Sequence, residues 1–374
     1  MNITFYNNAK QLPDNWNDVI GINNIFLSTN YFSVLDNSKP KNMECFYVGF
    51  FQKDVLIGGA IIQKLNFETH TTFQNENVKC SIKNFITKKY CKDILILGNN
   101  MLTGQNGFYF NLKQITQRQA VILLEQCLIK LQREISKTSL IIYKDYQNSV
   151  IKYFKEKIHS SYFKFSVQPN MILKIRKNWL VYDDYINDFS TKYRTRAKTA
   201  RKKCLDVEKR ELDLGFIKNN SKILHQLYNN VADNATFNTF FLAENHFESL
   251  KYFLKDNFKI YGYFIHNKLV GFYTIIINNK DIDTYFLGYD KETQKEYQLY
   301  LNMLLDMVDF AITHNFKRII FGRTALEIKS TIGAEPLESY GLIKHNMALI
   351  NKFMYKIFPS IEPKIEWIQR KPFK

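Results

Sequence analysis

The chain has 374 residues, 45% of them hydrophobic, and its 52 lysines and arginines against 35 acids give a formal charge of +17. The length predicts two domains of similar size, and 31 phenylalanines with 23 tyrosines exclude an intrinsically disordered chain. The charge favours a polyanionic partner: nucleic acid, an acidic membrane surface or a phosphate-bearing substrate.

Two segments share a pattern that predicts a β-hairpin in each half of the chain. They run from Phe46 to Gln63 and from Lys259 to Ile277, and each alternates apolar residues around a polar turn. A glycine occupies the same place in the second strand of each, 213 positions apart (271 − 58), at Gly58 and Gly271. The repeat indicates an internal duplication.

After each hairpin the pattern predicts a strand, a helix and a closing strand in the same order. These elements are Ile94–Leu97, Ala120–Gln132 and Leu140–Tyr143 in the first half, and Asp283–Tyr289, Leu299–Ile312 and Arg318–Phe321 in the second. Pro169 breaks any helix between the halves, and Met171–Ile175 reads as the first strand of the second unit. We therefore predict one domain over residues 1–165 and another over residues 166–374.

The most basic segment is a predicted helix over residues 189–204, with Ser190 or Thr191 as its N-cap. Seven cations lie within residues 192–203, and no acid follows until Asp206. One interpretation is a solvated helix face. The other is an anion-binding surface that relieves the repulsion among like charges. It predicts anion contacts from four side chains: Arg194, Arg196, Lys198 and Arg201.

A glycine-containing loop, FGRTALEIKSTIGAEP, covers Phe321–Pro336 and follows the last predicted strand. Gly322 allows the backbone to pass close to a ligand. Arg323 and Lys329 add two cations, and an arginine fork suits phosphate or carboxylate. The loop therefore favours an anionic ligand, with a solvent-exposed polar loop as the alternative.

The cysteines and histidines predict neither a metal site nor a disulfide framework. The five cysteines include no C-x-x-C pair, and the seven histidines form no H-x-x-H or H-E-x-x-H cluster. The first ten residues lack the order of a signal peptide, and no apolar run approaches the roughly 20 residues that span a bilayer. We expect a cytoplasmic protein, with peripheral membrane contact left open.

The order of these features resembles the double-domain GNAT-type acyltransferases, in particular the Fem-type peptidoglycan aminoacyltransferases and their acetyltransferase-like relatives. The resemblance extends from about residue 40 to the C-terminus and rests on PNMILKI, YDDYINDFSTKYRTRAKTARKK, HNKLVGF and the glycine-containing loop. It implies an α/β (α+β) fold with two tandem GNAT-like domains, each a mixed, mostly antiparallel sheet flanked by helices. It also implies transfer of an acyl or aminoacyl group to an amine.

In a GNAT unit two central parallel strands separate, and the donor thioester lies in the gap. The resemblance therefore implies a reaction site between the second-half strands Asp283–Tyr289 and Arg318–Gly322. Strand alternation predicts that Asp283, Tyr285 and Tyr289 share a face. Asp283 is the candidate base, Tyr285 the candidate acid, and Tyr289 a candidate donor-binding residue.

The loop after the last strand supplies the remaining candidates. Lys329 is the candidate catalytic cation that neutralises a tetrahedral oxyanion. Gly322 and Arg323 are candidate donor-binding residues beside it.

The chain departs from ordinary GNAT enzymes at the donor site. Those enzymes hold the coenzyme A pyrophosphate with a Gln/Arg-x-x-Gly-x-Gly/Ala loop at a helix N-terminus, whereas no glycine lies between Tyr289 and Tyr300 here. Lys291 and Lys295 are the cations left to hold a phosphate. We expect an acyl-CoA donor, with an acyl carrier or an aminoacyl-tRNA as alternatives.

These observations predict an N-acyltransferase with an anionic or carrier-bound donor and an amine acceptor from envelope or lipid metabolism. The second hypothesis is an aminoacyl-tRNA-dependent peptidoglycan ligase, weakened because no heptad pair follows the basic segment. The third is a non-catalytic basic protein that binds nucleic acid. It is weakened because RTRAKTARKK contains no aromatic residue to stack on bases.

Overall fold

Two β-sheets organise the part of the chain that the structure describes. A computed structural model describes residues 1–67, 88–134, 138–155, 157–235, 238–361 and 366–374. The strands are β1 (Asn2–Tyr6), β2 (Met43–Gln52), β3 (Val55–Asn66), β4 (Asp93–Leu97), β5 (Phe108–Phe110), β6 (Leu140–Tyr146), β7 (Phe163–Ser166), β8 (Asn170–Lys174), β9 (Glu208–Glu211), β10 (Phe258–Ile265), β11 (Lys268–Asn278), β12 (Asp281–Tyr289), β13 (Arg318–Gly322), β14 (Glu335–Leu337) and β15 (Tyr340–His345).

Helices flank both sheets. They are α1 (Trp16–Val19), α2 (Thr29–Ser38), α3 (Gln117–Glu134), α4 (Asn148–Ile151), α5 (Tyr182–Asp188), α6 (Thr191–Lys203), α7 (Leu214–Asn219), α8 (Ser221–Ala232), α9 (His246–Leu254), α10 (Lys291–Tyr297), α11 (Leu299–Thr313), α12 (Leu326–Thr331), α13 (Ala348–Lys352) and α14 (Met354–Ile361). Short 3-10 helices cover Ala9–Gln11, Gly21–Asn23, Ile25–Leu27, Lys157–His159 and Lys255–Asn257.

The predicted hairpins are present and equivalent. The β2–β3 turn has positive φ at Lys53 (46°) and Asp54 (66°), and the β10–β11 turn has it at two residues 213 positions later, His266 and Asn267 (47° and 62°). Two successive residues with positive φ form the type I′ turn, whose twist matches that of the flanking strands. Each hairpin also has one extra residue in its second strand, just after the turn. The duplication is confirmed at this level of detail.

The two sheets also match over five successive strands, β1-β2-β3-β4-β6 and β9-β10-β11-β12-β13. The first runs β1-β2-β3-β4-β6-β15-β7, with β5 also paired to β3, and the second runs β9-β10-β11-β12-β13-β8-β14. In each, a single parallel pair, β4–β6 or β12–β13, lies among antiparallel neighbours. The expected mixed sheets flanked by helices are therefore confirmed.

The sixth strand of the first sheet comes from an unexpected part of the sequence. In the first sheet β15 lies between β6 and β7, although it follows the whole second sheet in the chain. Two compact units result: residues 1–168, 236–242 and 338–365, and residues 169–235, 243–337 and 366–374. The division differs from the boundaries predicted at 1–165 and 166–374, because the pairing of β15 places residues 338–365 in the first unit.

Each unit has its own core. In the second, the predicted helix Leu299–Ile312 is α11, and its buried face packs on Tyr273, Ile275 and Ile319 of the sheet. In the first, the predicted helix Ala120–Gln132 lies within α3 and packs on that sheet in the same way. Among the described residues, no helix combines the length and apolar character needed to cross a bilayer.

Candidate active site in the second unit

The two parallel strands of the second sheet separate part-way along their length. Their pairing comprises Asp281 with Arg318, Ile282 with Ile319 and Asp283 with Ile320, and ends there. β12 continues along β11 to Tyr289, while β13 has an irregularity after Ile320 in its pairing with β8. A gap therefore opens beyond Asp283, as the resemblance predicted.

A bulge in β12 changes which side chains share a face. Tyr273 and Ile275 of β11 pair with Leu287 and Thr284, so β12 contains one extra residue between these pairs. Because directly paired residues point to the same side of a sheet, Asp283 follows Ile276 onto one face. Tyr289, paired with Gly271, lies on the other. The prediction that Asp283 and Tyr289 share a face is therefore wrong, since strand alternation does not hold across the bulge.

Asp283 is a buried carboxyl at the point where the strands separate. Its exposed fraction is 7%. Burial raises the pKa of Asp283 to about 7, and the neighbouring negative charge of Asp281 adds to the increase. Asp281 itself is held in a two-point ion pair with Arg318, with Nε 2.9 Å from Oδ1. Asp283 can therefore exchange a proton near neutral pH, as a general base must.

Tyr285, in the bulge, shares a hydrogen bond with a histidine that the sequence analysis did not identify. The Tyr285 hydroxyl lies 3.1 Å from Nε2 of His246. His246 is the first residue of α9 and is fully buried. The pair can pass a proton through the hydroxyl.

Lys329 shapes the loop after β13. The loop has positive φ at Gly322 (74°), Thr324 (65°) and Ala325 (47°). Lys329 Nζ donates to the carbonyl oxygens of Phe321, Gly322 and Arg323 at 2.8, 3.4 and 2.7 Å. The three N–H groups of the ammonium are thus used by three backbone carbonyls, so Lys329 stabilises the positive-φ conformation of this loop. The catalytic role of Lys329 stays a prediction.

Burial also changes the ionisation of Lys329. The side chain is 5% exposed, and burial lowers the pKa of Lys329 to about 7. Arg323 lies half-buried in the same loop. Glu327, on α12, binds Arg370, whose Nε lies 2.9 Å from Oε1.

The predicted basic helix is present as α6, but its cations have different partners and do not form one anion-binding surface. Arg201 lies 2.8 Å from Oδ1 of Asp306 on α11 and donates to Asn302 at 3.3 Å. Asp306 also accepts from the Tyr263 hydroxyl and pairs with Lys209 at 3.2 Å. Arg201, predicted to bind an anion, is instead bonded to a carboxylate of its own unit.

The other predicted anion-binding residues of α6 also separate. Arg194 donates to the Phe189 carbonyl at 2.9 Å, which closes the N-terminal turn of the helix. Lys198 is exposed and does not line the cavity described below. Arg196 is the member of the predicted set that lines a cavity.

The cavity measures about 410 Å³ and lies where α6 meets α10, the start of α11 and α12. Its lining combines two cations with hydroxyls, amides and two apolar walls: Lys192, Thr195, Arg196, Thr199, Gln294, Gln298, Tyr300, Leu301 and Ile328. The Tyr300 ring lies 6.3 Å from that of Tyr289, so the cavity is on the α11 face of β12. Cations and hydroxyl donors together suit a phosphate-bearing ligand.

The helix after β12 does not fit the pyrophosphate of coenzyme A. Asp290 caps α10, and its Oδ1 accepts from the Thr293 amide at 2.9 Å and the Thr293 hydroxyl at 2.8 Å. These hydrogen bonds hold the pKa of Asp290 below its usual value. A negative charge thus occupies the position where ordinary GNAT enzymes hold a pyrophosphate. Lys291 is exposed, and Lys295 pairs with Glu292 at 3.7 Å.

The corresponding place in the first unit is filled by its own chain. Gly98 donates to the Ile61 carbonyl and Ile61 donates to that of Gly107, so residues 98–107 replace the β12 bulge with a loop. Lys144, on β6, donates to the Leu102 carbonyl at 2.6 Å and fixes the loop over the strand. Met101 and Leu102 are buried. In the second unit, the strands at this position separate, and a cavity lies on the α11 face of β12.

The tandem arrangement has counterparts among solved structures. FemX matches with a TM-score of 0.52 at 10% identity, over 88% of this chain and 93% of its own. A tandem GNAT protein from the clavulanic acid biosynthesis pathway matches with a TM-score of 0.51 at 7% identity, over 92% and 98%. The chain has the tandem GNAT fold.

Other comparisons agree at the level of the fold. L-PGS from Bacillus licheniformis matches with a TM-score of 0.50 at 9% identity, covering 88% of this chain and 96% of that protein. No family model and no curated protein sequence matches the chain. Within this tandem GNAT fold, the described residues contain no group of three or more histidines, cysteines or acids able to hold a metal ion.

Proposed function

We propose that the chain is a transferase that moves an acyl or aminoacyl group from a phosphate-bearing, carrier-bound donor to an amine. The observation that carries the proposal is the gap between β12 and β13, with the buried carboxyl of Asp283 at its closed end. The tandem GNAT fold supports a transferase. The filled cleft of the first unit favours the second unit as the catalytic one.

In the proposed reaction the amine attacks the donor carbonyl carbon in the gap. A C–N bond forms, and the C–S or C–O bond to the carrier breaks. Asp283 takes the proton that the amine loses; with a pKa of about 7 it is part ionised at neutral pH. The Tyr285 hydroxyl, backed by His246, gives a proton to the departing sulfur or oxygen.

In this proposal, the donor and the amine bind on opposite faces of β12. Tyr289, Tyr300 and the cavity lie on the α11 face, where Lys192 and Arg196 bind the phosphate of the donor. Asp283 lies on the opposite face, which receives the amine. The resemblance to the Fem-type group favours an amine of an envelope or lipid precursor, modified in the cytoplasm.

We propose an aminoacyl-tRNA donor in preference to acyl-CoA. Asp290 places a carboxylate at the N-terminus of α10, which opposes a pyrophosphate there. The cavity, in contrast, has two cations and five hydroxyl or amide side chains for a nucleotide. An acyl carrier with a phosphate-linked arm is the remaining alternative.

Two cation pairs on the same helix test the donor site. Lys192→Gln with Arg196→Gln removes the pair lining the cavity, and Lys198→Gln with Lys202→Gln removes an exposed pair outside it. Binding of coenzyme A and of an RNA minihelix ending in CCA is measured by fluorescence anisotropy. We expect the cavity pair to weaken minihelix binding at least tenfold and the outer pair less than threefold, since each lost charge-assisted bond contributes about 1.5–3 kcal/mol. If both double variants lost the same minihelix affinity, the binding would be non-specific electrostatic attraction to the helix and not binding in the cavity.

Catalysis is tested separately by transfer of a labelled acyl or aminoacyl group from either donor to a panel of amines. Asp283→Asn should lower turnover about a hundredfold or more without weakening minihelix binding, because the amide cannot take a proton. Unchanged turnover would remove Asp283 from the reaction.

A further inference from the structure

Four large apolar side chains lie exposed within nine residues of the first unit. They belong to α13, α14 and the residues beside them, and their exposed fractions are 53% for Met347, 71% for Leu349, 44% for Phe353 and 52% for Tyr355. Single exposed apolar residues are ordinary on a protein surface, whereas a cluster of large ones marks an interaction site. These four residues are the apolar cluster.

The fold does not require this cluster. The same helices already pack a separate set of side chains on the first sheet: Met354 is 3% exposed and lies with Ile343 and Phe165 in a small core. The Phe358 ring lies 4.2 Å from that of Phe165. The apolar cluster is thus a second apolar face, pointing away from the sheet.

The charged residues in the segment that carries the cluster have one sign. From Ser339 to Ile361 the chain contains no aspartate or glutamate. Lys352 and Lys356 are exposed among the apolar residues, and the Lys356 ammonium lies 5.6 Å from the centre of the Tyr355 ring. Helices that lie in the surface of an anionic membrane have this composition: large apolar residues such as leucine and phenylalanine next to lysines, with few acids.

We propose that the apolar cluster and its two lysines dock the protein peripherally on an anionic lipid surface. Phe353, Leu349 and Met347 enter the boundary between headgroups and acyl chains, while Lys352 and Lys356 remain at the level of the phosphates. A second copy of the chain is a poorer occupant, because docking the cluster on itself would bring four lysines together. The inference does not depend on the proposed transferase activity.

Vesicle cosedimentation tests the proposal, with phosphatidylcholine vesicles and with vesicles in which about 30% of the lipid is phosphatidylglycerol. The wild-type protein should bind the anionic vesicles at least tenfold more tightly and be released by salt. Lys352→Gln with Lys356→Gln should weaken binding about twenty-fivefold, roughly fivefold per lysine. Leu349→Glu with Phe353→Glu should abolish it.

The matched control is Leu205→Glu with Tyr252→Glu, because these residues are 76% and 60% exposed in the second unit. It adds the same charge away from the cluster and should retain at least a third of the affinity. Melting temperatures of all variants should stay within about 2 °C of the wild type, since the changed side chains are exposed. Equal loss in the control, absence of wild-type binding, or a dimer in light scattering that Leu349→Glu with Phe353→Glu dissociates would each overturn the proposal.

Discussion

Replacing Asp283 by asparagine should remove a defined part of the pH dependence of stability. Burial raises the pKa of this carboxyl from 3.8 to about 7, so between these values the folded state keeps a proton that the unfolded state has lost. The contribution of Asp283 to the free energy of unfolding is therefore largest at low pH and decreases as pH rises to 7. At about 1.4 kcal/mol per pKa unit, the whole decrease is about 4 kcal/mol.

Urea unfolding of the wild type and of Asp283→Asn near pH 4.5 and near pH 8 measures this decrease. Because asparagine does not titrate, the variant should gain about 3 kcal/mol relative to the wild type between the two pH values. Exposed Glu292 provides the carboxyl-to-amide control, Glu292→Gln, in which no such gain is expected. A constant difference between wild type and Asp283→Asn would show that the carboxyl is hydrated in the folded protein and refute the reasoning.

Three other changes test the contacts that shape the second unit. The free energy of unfolding of the wild type should rise from about pH 7 to 10, because Lys329 loses its proton near pH 7 in the folded state and near 10.5 in the unfolded state. In Lys329→Met this rise should disappear. An unchanged slope would contradict the burial of Lys329. Arg201→Met removes a positive charge that pairs with the buried Asp306 carboxylate and should lower the free energy of unfolding in urea by about 3 kcal/mol. A decrease under about 1 kcal/mol would show that the ion pair behaves like one exposed to solvent. Gly288→Ala places a methyl group 2.4–2.6 Å from backbone atoms of Leu227 and its neighbour in α8, and should cost about 2 kcal/mol or more; a neutral result would mean that the helix moves freely.

Local patterns predicted much of the fold. The hairpin turn at Lys53 and its counterpart at His266 follow from polar residues between alternating strands, and α3 and α11 follow from apolar residues at helical spacing. These elements depend on neighbours in the sequence. The position of β15 does not, because nothing within residues 340–345 encodes which strand lies beside it.

The gap between β12 and β13 was predicted, whereas the arrangement of side chains around it was not. Asp283 and the gap followed from the resemblance, but one extra residue in β12 reverses the alternation before Tyr289, and no residue type at 285–286 marks a bulge. His246 is a single histidine after an ordinary loop, without a second ligand or base at a recognisable spacing. The cavity was not predicted either, because neutral residues such as Thr195 and Gln298 form a binding site only after separate helices bring them together.

The placement of β15 has a consequence for synthesis. β6 and β7 emerge early from the ribosome, but the strand that lies between them begins 174 residues after β7 ends (340 − 166). At about 5–20 residues per second, the first sheet waits roughly 9–35 s for its missing strand. During that time two strand edges lack their partner, which is the state that invites aggregation or chaperone binding. The interval between the synthesis of β7 and that of β15 is therefore the vulnerable stage for the first sheet, which is completed only after β15 has been made.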